Sequence, residues 1–208
     1  MGIVCVMLFV AHPKTGIWIA LVGTVAAVAL VAVRILDKMM DTSTDFRLRR
    51  ILAWLHPEEY MADGGYQVMQ GLYAIGAGGF FGKGLGNSAQ KMIIPEVQND
   101  MILSVICEEL GVFGAFILLA MFGVLLYRLM FIAQNAPDLY GSLVVTGIFA
   151  HIALQVMLNV AVVLNVIPTT GITLPFISYG GSSLLSYMLL IGILLNISMR
   201  KNRTYKYK

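Results

Sequence analysis

Charge is what this 208-residue sequence has least of: aspartate, glutamate, lysine and arginine make up 12% of it, against 59% apolar residues. A soluble domain with that balance and a mean hydropathy of +0.83 would expose large apolar patches, so a soluble globular fold is excluded and the chain reads as a bilayer protein. Cysteine is nearly absent. Cys5 and Cys107 lie in apolar runs without metal-type spacing, which excludes a disulfide framework and leaves them as small buried hydrophobes. His151 has no second histidine or acid at ligand spacing, so no metal site is expected. The basic residues form no domain or base-stacking surface, which excludes nucleic-acid binding. There is no internal repeat or low-complexity tract. Met1 is followed by apolar residues without a basic leader region or cleavage site, so no secretory signal is expected.

What is present is long apolar runs. A hydrocarbon core of ~30 Å takes about 20 helical residues. Ile17 to Leu36, Met101 to Ile132, Ser142 to Ile167 and Gly181 to Met199 meet that length. Arg34 and Arg128 fall where they can snorkel, Pro168 stops the third run and Arg200 the fourth. Gly2 to Ala11, ~15 Å of helix, reads as the tail of a span whose beginning is missing. The expected fold is an all-α integral membrane protein, a polytopic helical bundle with about five transmembrane segments, the first truncated. It forms one membrane domain over residues 1–208, with a long extracytoplasmic loop at 37–99 and a basic cytoplasmic tail at 200–208.

The orientation follows from that tail. Arg200, Lys201, Arg203, Lys206 and Lys208 are held inside by the positive-inside bias and anionic headgroups. Residues 134–140 and Lys14 then fall inside, and residues 37–99 and 168–179 outside. Eight of the 11 acids lie between Asp37 and Asp100, so the outer face is where the chemistry is expected. In the outer segment Arg47, Arg49 and Arg50 precede an apolar turn, Ile51 to Leu55, read as a short interfacial helix with Trp54 at headgroup depth. Glycines crowd the stretch from Gly64 to Gly86, allowing close backbone approach and left-handed turns.

Asp100 ends the polar segment Pro95-Glu96-Val97-Gln98-Asn99-Asp100 and stands at the start of an apolar helix. An acid there meets the positive end of the helix dipole and is either an N-cap or an ionised, outward-facing general base. Glu96 is a second carboxylate or a solvated loop residue. Glu108 and Glu109 lie on different flanks of the same helix, Glu109 nearly opposite Asp100, and read as structural groups that pair with an arginine or line a wet cavity. His151, Gln155 and Asn159 recur at spacing four, a polar stripe read first as a packing seam and second as a cavity wall. The stretch from Pro168 to Ser183 mixes prolines, glycines and hydroxyls, and irregular backbone at membrane depth lines a cavity or is buried in protein.

That stretch, with Gly84-Leu85-Gly86-Asn87-Ser88-Ala89-Gln90-Lys91, Pro95 to Asp100 and Glu108-Glu109-Leu110-Gly111, resembles the FtsW/RodA/SpoVE family of bacterial elongation, division and sporulation proteins. The four motifs come in the family's order and span nearly the whole chain. The resemblance implies a multi-pass protein of the bacterial cell membrane that polymerises lipid II into glycan strands beside a class B penicillin-binding protein and divisome or elongation partners. It implies that Asp100 matches the family's essential loop aspartate, that Pro95 and Glu96 match its lead-in, and that Lys91 ends its Gly-Asn-Ser-x-Gln-Lys motif. It also implies that the chain corresponds to the family's C-terminal half, as a fragment or a truncated gene, and that residues 1–208 alone are inactive.

Such coupling displaces polyprenyl pyrophosphate from an anomeric carbon. Glycosidases need two carboxylates because a sugar oxygen leaves poorly, whereas pyrophosphate leaves well, so one base and positive charge on the phosphates suffice. Asp100 is assigned as the catalytic base of an inverting transfer. Lys91 and Arg47 or Arg50 are assigned to the pyrophosphate, and Asn87, Gln90, Glu96, Thr170, Ser178 and Ser182 to substrate binding. No cofactor beyond a divalent cation, magnesium or manganese, is expected. A lipid II flippase and a noncatalytic scaffold for a transpeptidase are the alternatives.

Overall fold

The structure, a computed structural model, describes residues 46–63, 65–93 and 97–206. Its helices are α1 (Phe46–Leu55), α2 (Gly65–Gly78), α3 (Ile102–Gln134), α4 (Leu139–Val163) and α5 (Gly181–Lys206). The described residues contain no strand. The fold is the expected all-α membrane bundle: α3, α4 and residues Gly181–Met199 of α5 are each long and apolar enough to cross a membrane. The spans expected at Ile17 to Leu36 and Gly2 to Ala11 lie outside the described residues.

Helices α3 and α4 carry apolar residues around their whole circumference, the pattern of helices embedded on all sides. Phe116, Met121 and Tyr127 of α3 remain 66–70% exposed, a surface that a bilayer covers. The two helices form a hairpin. Asp138 caps α4 by accepting the Gly141 N–H at 3.0 Å. Phe122 and Leu129 of α3 pack on Val145, Ile148, Ile152 and Val156 of α4, and Leu194 of α5 and Leu174 close the cluster.

Two helix ends differ from the expected stops. Helix α4 ends at Val163, because Asn165 turns left-handed (φ 54°), so Pro168 lies beyond the end it was expected to make. The fourth apolar run ends at Met199 as expected, but helix α5 continues through Arg200 to Lys206, so four of the basic residues lie on its last turns.

The interfacial turn at Ile51 to Leu55 is part of α1, with Leu52 and Ala53 buried. The Trp54 indole is engaged by the protein, donating to the Asn165 carbonyl at 2.9 Å. The glycine-rich stretch, read as loop, contains α2, ~21 Å long and too short to span a bilayer.

Here glycine serves packing. Helix α3 breaks at Gly111 (φ 72°, ψ −177°), and residues 79–84 lie along the break. Val112 and Phe113 donate to the Gly79 and Phe80 carbonyls at 3.0 and 3.2 Å, while Lys83 and Gly84 donate to the Glu108 and Glu109 carbonyls at 2.9 Å. Backbone groups freed by a broken helix at membrane depth must be satisfied by neighbouring protein, and these four bonds do that. A Cβ on Gly78 would strike the Cys107 carbonyl, and one on Gly111 the Phe80 carbonyl. Gly111→Ala adds that collision to a backbone conformation open almost solely to glycine, and is expected to cost about 3 kcal/mol or more. Thermal unfolding of the detergent-solubilised chain measures this; an unchanged midpoint would contradict the packing.

Candidate functional site

Asp100 is not the N-cap of α3. Met101 holds that position, and no side chain caps the helix end. Asp100 is instead half-buried in the bend before it, and its Oδ1 accepts from Gln67 Nε2 of α2 at 3.2 Å. Its backbone is tied from two further sides. Asn159 of α4, fully buried, donates from Nδ2 to the carbonyls of both Asp100 and Ile172 at 2.8 Å. The Tyr179 N–H donates to the Gln98 carbonyl at 2.8 Å. The polar stripe of α4 therefore bonds across to its neighbours: Asn159 reaches the Asp100 segment and the Pro168–Ser183 stretch, and Gln155 accepts from the Tyr187 hydroxyl of α5. Tyr187 also stacks near His151, with ring centres 6.2 Å apart.

These ties shape an open cleft of about 570 Å³ lined by Gln67, Asn99, Asp100, Gly171, Thr173, Tyr179, Gly180, Ser182 and Ser183. The proline-glycine stretch forms its second wall. Leu174 and Pro175 are buried as an anchor, and Phe176 takes a left-handed turn (φ 65°) with its ring 4.9 Å from that of Tyr187. Ser178, assigned to substrate, instead accepts the Leu174 N–H at 2.7 Å and holds this turn. Thr170 is exposed and outside the lining, whereas Ser182 lies in it. Among the described residues Asp100 is the one carboxylate that lines the cleft, and no lysine or arginine does.

A second polar cluster centres on Glu108, which is fully buried. It accepts from Lys83 Nζ at 2.7 Å, from Ser88 Oγ at 2.5 Å, and from the N–H groups of Ala89 and Gln90 at 3.3 Å. The expected arginine partner is thus a lysine. Loop 83–91 wraps around this carboxylate, and the residues assigned to substrate within it serve the wrap. Asn87 Nδ2 donates to the Lys83 carbonyl at 3.1 Å, Gln90 gives its N–H to Glu108, and Lys91 gives its N–H to Ser88 Oγ at 3.1 Å. None of the three lines the Asp100 cleft. Arg50 is exposed on α1 and also outside the lining. Glu96 and the Arg47 side chain lie outside the described residues.

The cleft thus unites Asp100 and Ser182 with residues that were passed over: Gln67, Asn99, Thr173, Tyr179 and Ser183. Tyr179 and Ser183 stood inside a stretch already marked as cavity-lining; Gln67, on a helix read as loop, had no such signal. Among the described residues no group of three histidines, cysteines or acids could hold a metal ion.

Asn159 is the hinge-pin of the arrangement. Asn159→Leu keeps the number of side-chain heavy atoms and removes the bonds to the Asp100 and Ile172 carbonyls, at a cost of about 1–3 kcal/mol. Thermal unfolding in detergent is expected to show that loss, with faster hydrogen exchange at residues 98–100, while the protein still inserts in the membrane. A parent-like midpoint and exchange would show that the Asp100 segment keeps its place unaided.

Comparison with known proteins identifies the family. The cell cycle protein family model FTSW_RODA_SPOVE matches residues 1–203. Stage V sporulation protein E of Bacillus subtilis is 46% identical over 95% of this chain and 52% of its own length. A probable peptidoglycan glycosyltransferase FtsW of Trichlorobacter lovleyi is 49% identical over 74% of this chain and 40% of its own. Among solved structures, a peptidoglycan synthase complex that coordinates polymerisation and crosslinking contains a chain with TM-score 0.70 and 29% identity, covering 96% of this chain and 54% of that one. The chain spans about half the length of the curated relatives it matches. Four motifs in order, a broken membrane bundle and a family match over 203 residues lead to one conclusion: this chain belongs to the FtsW/RodA/SpoVE family of cell cycle proteins.

Proposed function

We propose that this chain supplies the reacting half of a peptidoglycan glycosyltransferase that polymerises lipid II with inversion. The observation that carries the reading is the carboxylate of Asp100, the one acid among the described lining residues, tied by Gln67 of α2 and Asn159 of α4 in a polar cleft where an apolar helix begins. Asp100 takes the proton from the acceptor's 4-hydroxyl as that oxygen attacks the anomeric carbon. The bond from that carbon to the pyrophosphate breaks, and polyprenyl pyrophosphate leaves with the electron pair. One displacement turns an α-linked donor into a β-1,4 strand. Thr173, Ser182, Ser183 and Asn99 offer donors and acceptors for sugar hydroxyls, and Tyr179, 74% exposed, adds an aromatic face and a hydroxyl.

The phosphate charge needs a partner from outside the cleft lining. Lys91, Arg47 and Arg50 remain assignments from sequence alone. A magnesium or manganese ion binds through one or two carboxylates and completes its shell with phosphate oxygens and water, so Asp100 would be its protein ligand here. In this reading the cleft faces the outer surface of the bacterial cell membrane, α5 ends in the cytoplasm, and a class B penicillin-binding protein crosslinks the strand. The tail of a lipid-linked donor stays in the bilayer while its headgroup reaches Asp100, which orients the reacting sugar.

The test is a chimera in which residues 1–208 replace the matched half of the Bacillus subtilis relative, purified and supplied with lipid II. Polymer with β-1,4 linkages is the expected product. Headgroup movement across the bilayer without polymer would replace the reading with a flippase. A folded chimera that binds its transpeptidase yet does neither would make the chain a scaffold.

A further inference from the structure

At the end of the bundle opposite Asp100, ~40 Å along α3, the ends of α3 and α5 enclose a second cavity of about 240 Å³. Arg128, Phe131, Asn135, Ile197 and Ser198 are among its lining residues. Its depth is fixed by α5, whose apolar span runs from Gly181 to Met199, so Ile197 and Ser198 stand at the hydrocarbon boundary. Arg128 has no ion-pair or hydrogen-bond partner among the described residues.

The local charge is one-sided. From Gly111 onward the sequence has a single acid, Asp138, against six basic residues: Arg128, Arg200, Lys201, Arg203, Lys206 and Lys208. Asp138 is occupied in capping α4. A guanidinium beside a hydroxyl and a carboxamide, walled by Phe131 and Ile197, matches a ligand with an anionic head and an apolar body. Basic pockets between membrane helices take such headgroups.

We propose that this cavity seats the phosphate of an anionic phospholipid from the surrounding bilayer. Arg128 pairs with the phosphate, Ser198 donates to it, and the acyl chains run along Phe131 and Ile197. This inference rests on the membrane fold and is independent of the glycosyltransferase reading.

The experiment is native mass spectrometry of the 208-residue chain in detergent, titrated with phosphatidylglycerol or phosphatidylcholine. One retained phosphatidylglycerol per chain is expected, in preference to phosphatidylcholine. Arg128→Gln is expected to weaken it about fivefold, and Arg128→Lys to keep most of the binding. Ala136→Phe, which fills the cavity without changing charge, is expected to lose the lipid as well; Ser198→Leu is the second filling variant should the first unfold. Helix content and unfolding midpoint are measured alongside each variant. Equal retention of the two lipids overturns the proposal. So does full binding by the filled variants, which would reduce the effect to diffuse attraction by the basic turns of α5. Equal competition by inorganic phosphate at the same concentration would also overturn it, by making the site one for a soluble anion.

Discussion

Asp100→Asn, made in the chimera, is expected to lower glycan polymerisation by about 10³-fold while membrane insertion and partner binding persist, since a positioned general base contributes about 10²–10⁴-fold. The substitution keeps size and planarity. Its amide oxygen can still accept from Gln67, and the Asp100 carbonyl that Asn159 holds is backbone and unaffected. What is lost is basicity, and with it the negative charge that would hold a cation. Among the described residues no other carboxylate lines the cleft to take the proton over. The measurement is single-turnover coupling of lipid II, which separates chemistry from substrate binding. Parent-like turnover by a well-folded Asp100→Asn protein would remove the base from Asp100 and, with it, the main support for the enzymatic reading.

Lys83→Met is expected to destabilise the chain by about 3–5 kcal/mol, the cost of leaving a buried charge without its partner. Glu108 is fully buried, whereas the Lys83 side chain is 39% exposed, so the two halves of the pair are not equivalent. Without Lys83 the carboxylate keeps Ser88 and two N–H groups but loses the one cation in contact with it among the described residues. Without Glu108 the lysine can turn to water. Glu108→Gln is therefore expected to be milder than Lys83→Met, and the double variant is expected to recover part of the loss. Thermal unfolding in detergent gives the energies, and proteolysis between Lys83 and Lys91 reports release of the loop. If Lys83→Met is as stable as the parent, the pair has no structural role.

What could be read from sequence follows the range of the interactions concerned. Length and apolarity are local, so the spans at α3, α4 and α5 were legible. Asp100 was legible for the same reason, as a charge where an apolar run begins. Its partner Gln67 lies 33 residues earlier and was not, because nothing local marks one glutamine as the one a fold brings back. The glycines misled in a specific way. Their density from Gly64 to Gly86 suggested loop, but Gly78 sits at the end of a helix because the Cys107 carbonyl leaves no room for a side chain. Lys83, between two glycines, was not singled out, because nothing local shows that α3 brings Glu108 beneath it. The motif residues Asn87, Gln90 and Lys91 were legible as a group, since spacing showed that they belong together, but it did not show that the loop they form wraps Glu108. Arg200 ends the apolar run as expected but not the helix, because a basic residue favours the negative end of a helix dipole and the chain can continue through it.

The break at Gly111 bears on how a bulky substrate gains entry. With residues 79–84 stitched into it through four peptide hydrogen bonds, the wall formed by α2 and α3 cannot swing outward without stranding those groups in hydrocarbon. The opposite rim crosses to its neighbours through the Tyr179 and Asn159 bonds and is anchored on the buried Leu174 and Pro175. In the reading proposed above a growing polymer would thus pass between two held walls, with Tyr179, 74% exposed, as the side chain it meets.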